Sequence, residues 1–238
     1  MHSAAAEDTL PARPVAAARS LIAHRCAVIA AAGVLLAAGF IVVLHLLAGS
    51  RIDSLTRTMS DYALLPGGEP LFAASAACLL IASIALIVGL RNGGVRGGRM
   101  LRGLCAVWCG GLLLVAACPT DPPATALTFT GFVHRYAAGA FLFALPPLTR
   151  LLVRELATLP GTERDVRSLS VLSAASWWCL ALFLICHLPV VFPWLPGVEL
   201  LSGAHAVLGL AERLLFAVDL AVLLVIASVL GARGRWDR

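Results

Sequence analysis

Six apolar runs fill most of this chain, at residues 26–48, 70–90, 101–118, 131–153, 169–193 and 203–230, and arginines crowd into every second gap between them. A helix needs about 20 mostly apolar residues to cross the hydrocarbon core of a bilayer, and each run is of that order. The N-terminal segment carries Arg13, Arg19 and Arg25, and the second gap carries Arg91, Arg96, Arg99 and Arg102. Arg150, Arg154, Arg164 and Arg167 flank or fill the fourth gap, and Arg233, Arg235 and Arg238 end the chain. Clear of the helices, the other gaps hold only Arg51 and Arg57. By the positive-inside rule both termini and the arginine-rich gaps face the cytoplasm. The expected fold is all-α, a six-helix transmembrane bundle of the plasma membrane with N-in, C-in topology. The divisions are a flexible cytoplasmic tail over 1–24, a spanning domain over 25–231 and a short basic tail over 232–238.

Composition agrees: 60% of residues are hydrophobic, 13% are charged and the mean hydropathy is +0.93, which excludes a soluble globular class. In a soluble protein the net charge of +5 would suggest nucleic acid. Here the arginines sit at helix ends, where they fix topology and meet anionic lipid head groups, so no nucleic-acid partner is expected. The first run exceeds a signal-peptide core of about 7–15 residues and reads as an uncleaved span. All seven cysteines lie within or at the edges of apolar runs, which argues against a disulfide framework. Cys105 and Cys109, one turn apart, suggest packing more than a metal pair. Trp177, Trp178 and Trp194 are candidate interfacial anchors.

The gap at 92–98 predicts a tight cytoplasmic hairpin between spans two and three, and that around 159–165, with Pro160, the main cytoplasmic loop. The outward gaps carry more chemistry. Met59-Ser60-Asp61-Tyr62 follows the first span, Pro119-Thr120-Asp121-Pro122-Pro123 the third, and Trp194 to Glu199 the fifth. Ionisable residues inside spans are costly and become functional candidates. His45 lies near the outer end of span one, His134 and Arg135 open span four, and His187 sits in the outer third of span five. Span six carries His205, Glu212 and Asp219 at seven-residue spacing, which on one helix would form a stripe drifting about 20° per heptad. With Asp61 and Asp121, most of this polarity converges on the outward half.

Three readings fit that cluster. In a structural one, Arg135 and Arg213 neutralise Asp121, Glu212 or Asp61. In a second, Asp121, His134, Arg135, Glu212 and Arg213, backed by Asp61, His187 and His205, line a pocket for a lipid head group, small solute or proton, with Asp219 the deepest proton carrier. In a third, His134, His187 and His205 with Asp121 or Asp61 bind zinc and activate a water for hydrolysis of a lipid at the outer leaflet, or two facing histidines hold haem. No two histidines stand at the local spacing of a zinc signature, and no cofactor is expected. Ser60-Asp61 reads as a cap at the entry to an interfacial helix, since a serine needs an adjacent base to act as a nucleophile.

Ser60-Asp61-Tyr62-Ala63-Leu64, Pro119-Thr120-Asp121-Pro122-Pro123, Gly131-Phe132-Val133-His134 and Gly209-Leu210-Ala211-Glu212-Arg213 stand in an order that resembles the bacterial and archaeal membrane proteins of domain-of-unknown-function family 998. The likeness covers about residues 26–230. It implies six spans and an outward cluster of Asp61, Asp121, His134, Glu212 and Arg213, and it brings no activity with it. The order of Ser60, Asp61, His134 and His205 is more loosely similar to membrane hydrolases of the alkaline ceramidase and adiponectin-receptor kind. Those bind zinc within seven spans, and this chain lacks their paired histidines in the last span.

Overall fold

Long uninterrupted apolar runs satisfy their backbone groups in a bilayer only as helices, and helices are what they form. A computed structural model describes residues 13–95, 97–123, 125–159 and 161–236. The elements are α1 (Arg13–Ala48), α2 (Gly68–Asn92), α3 (Arg99–Ala117), α4 (Phe129–Leu156), α5 (Glu163–Val191) and α6 (Leu208–Trp236). Two 3₁₀ segments interrupt the connections, Met59–Leu64 after α1 and Val198–Val207 before α6. Six helices are long and apolar enough to cross a membrane. Their outward surfaces are apolar: Val28 is 57% exposed, Leu46 73% and Val171 64%, the pattern of helices solvated by lipid.

Each helix packs on its sequence neighbours, and α6 returns to α1, closing a ring. α1 brings Gly33 against Cys78 and Ala82 of α2, small residues that let the backbones approach. The polar groups in this core are spent locally. Ser75 Oγ donates to the Ala37 carbonyl, and buried Trp108 donates its indole N–H to Ser83 Oγ at 2.8 Å. Ser83 in turn donates to the Leu79 carbonyl, so no hydroxyl proton of this set is stranded. α4 continues through Pro146 and Pro147, and α5 through Pro189, although proline has no N–H for the helix ladder.

Two boundaries differ from expectation. The helix of the first span begins at Arg13, so the flexible tail expected over 1–24 is helical in its second half. Residues 1–12, Arg96, Pro160 and Arg238 lie outside the described residues. At the other end α6 runs to Trp236, through most of the basic tail expected over 232–238. The sixth span is not one α-helix across 203–230. After Pro193 and Pro196 the chain enters the 3₁₀ segment, and α-helical geometry starts at Leu208. His205 therefore belongs to a different helix type from Glu212 and Asp219, and its side chain is exposed while theirs are buried. The seven-residue stripe breaks at its first member, because 3₁₀ winding turns 120° per residue where an α-helix turns 100°.

Candidate functional site

The connections after α1, α3 and α5 share one end of the bundle, and between them opens a cavity of about 420 Å³. That volume lies within the range of small-molecule sites, about 300–1,000 Å³. Its wall takes Arg57, Ser60 and Asp61 from the first connection, Asp121 from the second, and His134 and Arg135 from α4. His187 of α5, His205 of the second 3₁₀ segment and Glu212 of α6 complete the polar lining. A smaller apolar cavity of about 50 Å³ adjoins it deeper in the bundle, among Phe72, Leu79, Leu112 and Phe216. Ser60, His134 and Glu212 line both, so they stand where a polar vestibule meets an apolar chamber.

The three acids of the wall are already engaged, each with backbone at a helix start. Asp61 Oδ2 accepts the Thr58 N–H at 3.1 Å and the Arg57 Nε–H at 2.8 Å. This is the cap expected for Ser60-Asp61, and Ser60 adds a 3.0 Å hydroxyl contact with Thr58. Asp121 receives the Thr128 N–H and hydroxyl, both at 2.8 Å, and Thr128 caps α4 by accepting from the Gly131 N–H. A Cβ at Gly131 would collide with the Asp121 carboxylate, so this Gly-x-x-His turn needs its glycine. Glu212 Oε2 accepts the Met59 N–H at 2.7 Å and so caps, from α6, a helix 153 residues earlier.

Arg213 does not line the cavity. It points the other way, as adjacent residues on an α-helix must, about 100° apart. Its guanidinium donates to the carbonyls of Arg57 and Gly209 at 2.8 and 2.7 Å and to the Tyr62 hydroxyl at 2.7 Å. Tyr62 is fully buried, and its hydroxyl meets His45 Nδ1 at 2.7 Å. Arginine can only donate, so the phenol proton serves His45, and the chain Arg213–Tyr62–His45 clamps α6, the first 3₁₀ segment and α1 together. The Leu210 N–H, an orphan donor of α6, reaches the Leu55 carbonyl at 3.1 Å. A Cβ at Gly209 would strike the carbonyl oxygens of Arg57 and Ser54. The same loop is turned by Asp53, which accepts from the Leu55 N–H and the Thr56 hydroxyl. Those two bonds, the backbone one first, hold its pKa below the ordinary 3.8.

The expected pairing of Arg135 and Arg213 with Asp121, Glu212 or Asp61 does not form. Arg57–Asp61 is the only salt bridge among the described residues. Arg57 and Tyr62 were not singled out by the sequence, where a loop arginine and a motif tyrosine show no sign of their partners on α6 and α1. Several basic groups of the wall keep polar atoms without a described partner. Arg135 is exposed, with no hydrogen bond or ion pair to a described residue. His134 is 3% exposed and donates Nδ1–H to the Cys118 carbonyl at 2.8 Å, which leaves Nε2 buried with no partner. His187 stacks on Phe183 at 5.2 Å between centroids, and its Nδ1 is likewise buried and unpaired. Among the described residues no three His, Cys, Asp or Glu side chains gather as ion ligands. Asp219 lies apart, between α5 and α6, with one carboxyl oxygen accepting from Ser176 at 2.8 Å and the other unpaired.

No curated protein and no solved structure matches the chain. A family model does, over residues 29–229, and it takes in every wall residue from Arg57 to Glu212 together with the Arg213–Tyr62–His45 clamp. With the match spanning the whole ring of helices, the chain belongs to the family described as Protein of unknown function (DUF998).

Proposed function

We propose that this is a multi-pass plasma-membrane protein whose outward-facing cavity binds a small polar ligand, either a lipid head group or a free solute. The supporting observation is the cavity itself: about 420 Å³, walled by six segments of the chain, with the unpartnered Nε2 of His134 beside it. Leaving a buried polar atom unpaired costs about 1–3 kcal/mol, a cost that a bound ligand offering a donor removes. Orientation follows from the arginines. Arg91, Arg99, Arg102, Arg150, Arg154, Arg164 and Arg167 cluster at the end opposite the cavity, so that end is cytoplasmic and the cavity faces out.

The test is ligand-dependent thermal stabilisation of the purified protein in detergent, across a panel of polar lipids and small solutes. Ala138, which lines both cavities, is replaced by tryptophan to fill them. At least one compound should raise the melting temperature of the wild type and not of Ala138→Trp. Equal responses from both proteins to every compound would remove the cavity as a binding site.

A further inference from the structure

Resting on that reading of the cavity, we infer that its ligand is a phosphate-bearing polyol, recognised through Arg135 as the anion site and His134 as an acceptor for a ligand hydroxyl. The anion site rests on Arg135, the charged side chain of the wall with no hydrogen bond or ion pair to a described residue. Asp61, Asp121 and Glu212 each accept a backbone N–H at a helix start. The basic groups are differently placed. Arg135 has no hydrogen bond or ion pair to a described residue, and Arg57 gives its Nε to Asp61, with no described partner for its terminal nitrogens at the cavity wall. His187 stands within electrostatic reach of Arg135 and His205. A planar guanidinium matches the paired oxygens of a phosphate, and the bond is strengthened where water is scarce.

His134 supplies the second half of the recognition. Because a carbonyl can only accept, Nδ1 carries the proton toward Cys118, and in the neutral ring Nε2 is an acceptor. A hydroxyl of the polyol can donate to it. The wall is apolar where it meets α5, and Leu184 and Val190 both line the cavity and stand 43% and 41% exposed on the helix surface. The cavity thus borders the lipid-facing side of α5, which gives a phospholipid head group a lateral way in. A soluble polyol phosphate has the same head chemistry and would enter from outside.

The probes are sn-glycerol 3-phosphate and phosphatidylglycerol, with glycerol and phosphatidylcholine as controls, titrated against the full-length protein in detergent. Both the wild type and Arg135→Gln are followed by thermal shift and by equilibrium binding. At least one phosphate-bearing polyol should bind, and Arg135→Gln should weaken it at least about tenfold while leaving the unliganded melting temperature unchanged. Binding of phosphatidylglycerol alone identifies the lipid as the source, and binding of both probes shows that the head group suffices. Unchanged affinity in Arg135→Gln, or equal binding of glycerol, overturns the anion site, and equal binding of phosphatidylcholine, which keeps the phosphate and lacks the polyol, overturns the polyol. If glycerol binds as well as its phosphate and Ala138→Trp abolishes that binding, the cavity stands and the phosphate does not. If no probe binds either protein, the phosphate-polyol assignment is wrong, and the broader ligand panel decides the cavity separately.

Discussion

Glu212 Oε2 accepts the Met59 N–H at 2.7 Å, and the adjacent Arg213 donates to the Arg57 carbonyl at 2.8 Å. Two neighbouring side chains of the last helix therefore grip the same short segment, one through an N–H and the other through a C=O. The segment cannot shift without breaking both, which makes the wall of the cavity a fixed surface.

Replacing Glu212 should separate charge from hydrogen bonding. Glu212→Gln keeps an oxygen for the Met59 N–H and should melt close to the wild type. Glu212→Ala strands that N–H and should cost about 1–3 kcal/mol. Thermal unfolding of the two variants in the same detergent gives the comparison.

Close approach makes Gly209 a sharper test of the docking. Gly209→Ala places a methyl against the Arg57 and Ser54 carbonyls and should destabilise by about 1–3 kcal/mol. Gly110, also within a helix, has nothing within 4 Å of a built Cβ. Gly110→Ala should be neutral or stabilising by up to about 1 kcal/mol. Equal effects at the two positions would contradict the packing of α6 on the first 3₁₀ segment.

Deeper in the bundle, Ser176→Ala removes the one hydrogen bond made to Asp219 and should lower stability by about 1–3 kcal/mol. In an Asp219→Leu background the same serine change should cost much less, because no buried carboxyl is left to strand. A double-mutant cycle measures the difference.

The loop after α1 should carry an acid-sensitive contribution. The folded-state pKa of Asp53 is depressed, so its contribution is fully present above the ordinary value of 3.8 and is lost as pH falls through the lower folded value. Asp53→Asn cannot titrate and should flatten the acid limb of the stability profile. Thermal melts between neutral pH and the acid limit, with and without the substitution, show whether it does.

How much of this could be read from the chain depends on the range of the interaction. Six spans, their alternating arginines and the capping role of Asp61 are local, and each is legible from runs and short spacings. The break before α6 has no mark in the run 203–230, because hydropathy does not distinguish 3₁₀ from α winding. Spacing alone placed His205 on a stripe with Glu212. Direction was half legible: Glu212 and Arg213 had to diverge, but which faces the cavity depends on helix rotation. Their partners, Met59 and Tyr62, lie roughly 150 residues away with no spacing rule to connect them. In one of the three readings of the cluster Arg135 and Arg213 neutralised its acids. Backbone N–H groups hold those acids instead, and Arg135 is left without a described partner.

The closed ring of helices has a consequence for biogenesis. Each of the first five helices can settle against the one before it as the chain is threaded into the bilayer. The vestibule gains its acid cap, its clamp on Tyr62 and its last wall only when residues 208–213 arrive. A nascent chain stalled after α5 would hold His134 and Arg135 facing an open cleft. The cavity is therefore completed late in synthesis and all at once, so the fully inserted protein is the first form in which its wall is whole.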